Sequence, residues 1–321
     1  MSLRSIGYGL EILPYHPLFR SEVKRLVPPT QADVHESLMR SLRLADTGSA
    51  IFGAAIYDLA TVDRRASPIK RGACQLLGGF SMKYFNLLDD AIDDPSLSLD
   101  PDQKSYHLRN IIDQSWIPDR LGEVPNTDYF QGAKILGDAI RDRLLFYGDN
   151  QPVLATIRDF EAAEIGHGYS KTPEELLATV QALGKPCGKI MASIVEVVDV
   201  QASTQAIGDA AEAIGVYGMM LDHAYEVNAD IKDGSQTVVT AYLEQEGDSP
   251  KNRRAARELC LEVANDAYSS GRELLSPKQR KIYKAVADLF AFRYKAVVRL
   301  QDALVRRGSD LESTPRYQTS S

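Results

Sequence analysis

Apolar residues recur every three or four positions along most of this chain. The spacing predicts helices over about 31–45, 49–63, 68–93, 129–147, 151–167, 173–184, 187–200, 206–231, 250–272 and 277–306. Turn-forming residues punctuate them at 94–102, 117–128, 148–152, 166–173 and 246–250. Thr172-Pro173-Glu174-Glu175 and Ser249-Pro250 read as helix starts, as does Thr30 or the Gln31-Ala32-Asp33 run. Gly184-Lys185-Pro186-Cys187-Gly188 combines two glycines with a proline and predicts an interruption between two apolar segments. Strand-like alternation is confined to a short extended arm around Ile6–Leu13. No repeat, low-complexity block or linker divides the chain. The expectation is one all-α domain over 1–307, followed by a disordered tail at 308–321.

Two of these helices carry acids where a helix tolerates them least. Residues 87–95 read Leu-Leu-Asp-Asp-Ala-Ile-Asp-Asp-Pro. Asp89/Asp93 and Asp90/Asp94 are four apart, so on a helix they stack and repel. Pro95 confines them to the last turn, at the negative pole of the helix dipole. Each penalty is about 0.2–1 kcal/mol, and no basic residue lies between Lys83 and Lys104 to relieve them. A hard divalent cation with oxygen ligands would remove the conflict; a solvated acidic helix end is the plainer alternative. Asp222, Glu226 and Asp230 repeat the design at intervals of four, after an apolar, small-residue run from Ala213 to Leu221. Only Lys232 is interspersed, and Gly234 is a plausible cap. Two such helices facing each other would wall a pocket for about two or three Mg²⁺ ions, with Mn²⁺ as a substitute.

Composition narrows the partners. A net charge of −7, with no basic run longer than pairs such as Arg64-Arg65 and Arg253-Arg254, argues against nucleic acid. Cys74, Cys187 and Cys260 are odd in number and widely spaced, which suggests reduced core thiols and a cytoplasmic setting. No signal-peptide pattern opens the chain, and its best apolar run, Ala50 to Tyr57, is cut by Asp58, far short of the ~20 residues of a membrane span. Assembly as a homodimer stays open.

An all-α chain with two acid-ended helices resembles the class I isoprenoid (terpenoid) synthases. Asp89-Asp90-Ala91-Ile92-Asp93 matches the DDxxD motif of that superfamily as it stands. Asp222/Glu226/Asp230 keeps the spacing of the second metal-binding motif of terpene cyclases, although aspartate in the last place departs from the usual glutamate. Gly215, seven residues before Asp222, is similar to the lead-in of squalene and phytoene synthases. Asp230-Ile-Lys-Asp-Gly-Ser-Gln-Thr237 resembles the D-x-x-x-G-K-x-T of chain-elongating prenyltransferases with its lysine missing.

The resemblance implies a single helical bundle of about ten or more helices around a central cavity, and diphosphate chemistry. Asp89, Asp90 and Asp93 would hold one metal group and Asp222, Glu226 and Asp230 another, with Asp94 and Asp233 outside the first set of ligands. The substrate would be an allylic isoprenoid diphosphate, ionised to a carbocation that an apolar cavity protects. Arg293-Tyr294 resembles the Arg-Tyr pair near the C-terminus of many bacterial terpene cyclases and would supply diphosphate donors. A surface salt bridge is the alternative for that pair. Lys185 and Lys189, flanking the glycine–proline interruption, are further candidates, with a plain interhelical turn as the other reading. Arg141, Arg143 and Arg158 sit on polar faces and are expected to solvate them. Cavity-wall candidates are Phe80, Tyr84, Phe85, Leu88, Tyr217, Met220 and Leu221.

Terpene cyclisation, or loss of diphosphate to a hydrocarbon or alcohol, needs the fewest missing parts. Elongation normally uses a far-upstream Gly-Gly-Lys-Arg segment and an Arg-Arg after the first motif; here Lys70-Arg71 lies too close and Lys104 is the first basic residue after Asp94. Head-to-head coupling lacks the Tyr-x-x-Cys-Arg lead-in, since Tyr84-Phe85-Asn86-Leu87-Leu88 stands there. Two readings of other kinds remain: a catalytically silent partner subunit, and a di-iron bundle, for which Glu164-Ile165-Gly166-His167 supplies one Glu-x-x-His and no second exists.

Overall fold

The computed structural model describes residues 3–27, 32–41, 44–92, 97–117, 123, 125–167, 169–202, 204–227, 230–231 and 235–306. Among these every regular element is a helix. In order they are α1 (Leu3–Leu26), α2 (Ala32–Ser41), α3 (Leu44–Ala60), α4 (Pro68–Ile92), α5 (Pro101–Trp116) and α6 (Asp128–Leu145). The second half contains α7 (Gln151–His167), α8 (Pro173–Val198), α9 (Gln205–Tyr225), α10 (Val238–Glu246), α11 (Pro250–Glu273) and α12 (Pro277–Arg306). The expected tail at 308–321 lies outside the described residues. All three cysteines are buried and unpaired.

Several boundaries differ from expectation for identifiable reasons. The N-terminal arm is a helix, not an extended strand. Tyr8, Phe19 and Val23 fall on one helical face and are buried. Phe19 packs its ring 5.7 Å from that of Phe80, and the Tyr8 hydroxyl donates to Asp58 at 2.9 Å. Tertiary burial overrides the local alternation there. Helix α5 was missed although its start is well marked. Asp100 and Gln103 form a reciprocal capping box around Pro101. Helix α10, only nine residues long, is capped in the same way by Thr237 and Thr240.

Helix α8 corrects the expected interruption. It runs through Pro186 without a break from Thr172, its N-cap, to Asp199, its C-cap. The two glycines serve contact with α9 instead. A Cβ on Gly184 would stand 2.6 Å from the Val216 Cα, one on Gly188 would collide with the Ala211 carbonyl, and one on Gly215 with the Gly184 carbonyl. Backbone thus meets backbone along this pair, which side chains of any size would forbid. The i+4 donor that Pro186 cannot supply is missing only at Ala182, an exposed residue. Buried side chains from α1 through α12 form one hydrophobic cluster, with α4, α8 and α9 contributing most of their inward faces.

Candidate active site

The described part of the first acid cluster, Asp89 and Asp90, lies in the last described turn of α4. Leu87, Leu88, Ala91 and Ile92 are buried, whereas Asp89 is exposed and Asp90 half-buried. The helix thus sends its apolar face inward and its carboxylates out of the core. Asp93 and Asp94 lie outside the described residues.

The second cluster keeps its register by an unexpected route. α9 ends at Tyr225 with Glu226 outside helical geometry, at φ −95° and ψ 11°, and Val227, Asp230 and Ile231 are helical again. The spacing survives in the backbone hydrogen bonds. Glu226 N–H donates to the Asp222 carbonyl at 3.0 Å, and Asp230 N–H donates to the Glu226 carbonyl at 3.0 Å. Asp222, Glu226 and Asp230 are all half-buried. Lys232, Asp233 and the expected cap Gly234 fall outside the described residues.

Buried groups from α7 and α8 connect the two clusters. The Cys187 thiol, on α8, is pushed up to about 12, chiefly by burial and then by the carboxylates of Glu164 and Asp89. It stays protonated. Glu164, on α7, is buried, and His167 follows it on the next turn of the same helix. His167 acts on His223, the residue after Asp222. Burial drives the His223 imidazole down to about 4, Asp222 opposes that shift and His167 reinforces it. The neutral ring accepts the Val238 N–H on Nδ1 at 3.2 Å, so its proton resides on Nε2. The ends of α4 and α9 both lie beside the end of α7: His167 lines a cavity with Ile92 of α4, and the Ser170 carbonyl accepts from Gln236 at 3.0 Å, two residues before the Val238 that bonds His223 of α9. A cavity of about 40 Å³ beside Ile92 is lined by Glu164, His167 and Lys104, which α5 brings back against the end of α4.

The other sequence candidates scatter. Tyr294 is buried on α12 and stacks on Tyr225, with ring centroids 6.4 Å apart and planes at 12°; Arg293 precedes it on α12. Phe85 is buried and stacks on Phe160 at 4.2 Å, within the α4–α7 contact. Tyr217 faces α11, 5.7 Å from Tyr268, and burial pushes its hydroxyl up to about 12. Lys185 is exposed. Lys189 pairs with Asp159 at 3.3 Å and Glu212 at 3.4 Å. Glu212 lies ten residues before Asp222 on α9, about 15 Å along a helix, so Lys189 stands away from the acid end. The arginines expected only to solvate do more. Arg143 lies over the Phe80 ring at 5.1 Å, and Arg141 donates to the Ser115 carbonyl at 2.6 Å. Arg158 bridges Asp113 and Glu161 in a cleft of about 620 Å³ between α5 and α7, where Arg109 also pairs with Glu161.

Arg257, on α11, was not foreseen. Its guanidinium carbon lies 4.3 Å from the centroid of the Tyr225 ring, beside the second acid cluster. No local pattern marks it, because its place depends on α11 packing along α9.

The donors suit a hard divalent cation. Both clusters offer carboxylate oxygens, while the Cys187 thiol is held protonated and His223 Nδ1 already accepts a hydrogen bond. Among the described residues no three His, Cys, Asp or Glu side chains form a group able to hold an ion, the di-iron pattern included. The two clusters are separate arms. Among those residues, too, no helix is long and apolar enough to cross a membrane.

The helical fold is shared with solved prenyl diphosphate synthases. It is similar to a geranylgeranyl pyrophosphate synthetase from the archaeon Geoglobus acetivorans, with a TM-score of 0.59 and 13% identity over 88% of this chain and 98% of that one. A geranylgeranyl pyrophosphate synthase from Lactobacillus brevis gives 0.54 and 13% over 88% and 97%. A variant of cucumene synthase scores 0.44 at 14% identity over 87% and 95%. No protein-family model and no curated protein matches the chain.

Proposed function

We propose that this chain is a Mg²⁺-dependent class I isoprenoid synthase that ionises an allylic polyprenyl diphosphate and releases diphosphate. The observation that supports the reading is that the acid-bearing ends of α4 and α9 both lie beside the end of α7, where His167 shares a cavity with Ile92 and Ser170 accepts from Gln236, in a fold shared with solved prenyl diphosphate synthases. Asp89, Asp90 and Asp93 would hold metal on one arm, and Asp222, Glu226 and Asp230 on the other. Mg²⁺ held by these carboxylates would neutralise the diphosphate and make it a better leaving group. The chain's own residues do the rest. The two arms orient the diphosphate, the buried faces of α4, α8 and α9 keep water from the cation, and the Tyr225–Tyr294 stack supports the second arm.

Terpene cyclisation or simple diphosphate loss is the first reading of the reaction. Chain elongation is the second, and Lys104 favours it: α5 returns this cation to the end of α4, where the sequence alone left none. Incubation with C10, C15 and C20 allylic diphosphates, with and without isopentenyl diphosphate, distinguishes them. Pyrophosphate release with a product no longer than its precursor supports the lyase reading, and a longer product supports elongation. Absence of Mg²⁺-dependent release from every substrate would overturn both and leave a silent partner subunit.

A further inference from the structure

Helix α11 carries three arginines near its start, and they are not treated alike. Arg253 pairs with Asp248 at 2.6 Å, and Arg254 pairs with Glu258 at 2.8 Å. Arg257, one turn on, forms no ion pair and no side-chain hydrogen bond with any described residue. Its contact is the Tyr225 ring. Tyr225 is the last residue of α9, three after Asp222 and one before Glu226, and its ring stacks on Tyr294 of α12. A guanidinium is thus fixed at the second acid arm by an aromatic face rather than by a carboxylate.

A cation–π contact engages the charge but not the N–H donors, which can then meet a planar or tetrahedral oxyanion. The half-buried setting strengthens such a contact compared with bulk water. The charge also complements the carbonyl pole at the end of α9, a stabilising role that would need no ligand. An acidic neighbour would satisfy the stabilising role at less cost in unmet donors, and each of the other two arginines has one, Asp248 just before α11 and Glu258 within it.

We infer that Arg257 is a diphosphate-binding residue of the site, held ready over Tyr225 to donate to the oxygens of the leaving group. The inference rests on the isoprenoid synthase reading. It is tested on the full chain by calorimetric titration with inorganic pyrophosphate in the presence of Mg²⁺, together with thermal melting of each protein alone. Arg257→Gln is expected to weaken pyrophosphate binding about tenfold or more, and Arg257→Lys to fall between, since charge persists without the fork. Arg254→Gln is expected to bind like the native chain. Native affinity in Arg257→Gln, whether or not its melting temperature falls, overturns the assignment and leaves the synthase reading intact. If Arg257→Gln does not fold, unchanged affinity in Arg257→Lys overturns it instead. A native chain that neither binds pyrophosphate nor turns over an allylic diphosphate overturns both readings.

Discussion

Asp89 and Asp199 are both aspartates at a helix end, yet one is exposed and the other buried. Asp89 stands at the end of α4, on the arm proposed to hold metal. Asp89→Asn and Asp222→Asn are each expected to lower Mg²⁺-dependent pyrophosphate release by about 10²-fold or more with little change in melting temperature. Unchanged turnover in both would sink the two-arm mechanism. Asp199, the C-cap of α8, is buried and accepts from Arg64 at 2.6 Å and from the Tyr57 hydroxyl at 3.2 Å, while Lys70 pairs with it at 3.0 Å. Burial opposes its charge, but Lys70 and Arg64 outweigh burial and hold the carboxyl below its ordinary value of 3.8. Its contribution is therefore fully present above that value and is lost as pH falls through the depressed one. Asp199→Ala is expected to cost about 2 kcal/mol at neutral pH, with a difference from the native chain that shrinks in acid. Urea unfolding at two pH values checks the sign.

At the scale of elements, the α8–α9 pair packs backbone against backbone. Local spacing made Gly184 and Gly188 look like a break, and Gly215 like a motif residue. Each is instead a point where two backbones touch. Gly188→Ala drives a methyl into the Ala211 carbonyl and is expected to cost about 2 kcal/mol or more. Gly208, on the same α9, has open space at its Cβ, so Gly208→Ala is expected to stabilise by about 0.5 kcal/mol. Thermal melts of the two variants should move in opposite directions. The α9 terminus shows the limit of pattern reading from the other side. The periodicity predicted a helix through residue 231; it breaks at Glu226, yet Val227, Asp230 and Ile231 are helical, and Glu226 and Asp230 still bond back four residues. Spacing specified the register and did not mark the break.

For the whole molecule, two arms on separate helices imply that ligand binding ties distant parts together. Mg²⁺ with pyrophosphate at about 100 times its dissociation constant is expected to stabilise the native chain by about 2.7 kcal/mol, and Mg²⁺ alone by less. A chelator should abolish both the shift and turnover. Sequence by itself determined most helices and the register of Asp222, Glu226 and Asp230, because each depends on residues within about one or two turns of one another. Tertiary structure alone decided which ends meet. It carried α8 through Pro186, turned Tyr217 toward α11 and Lys189 toward Asp159 and Glu212, returned Lys104 to Ile92, and set Arg257 over Tyr225. Those outcomes rest on packing between helices far apart in the chain, where no local pattern carries the information.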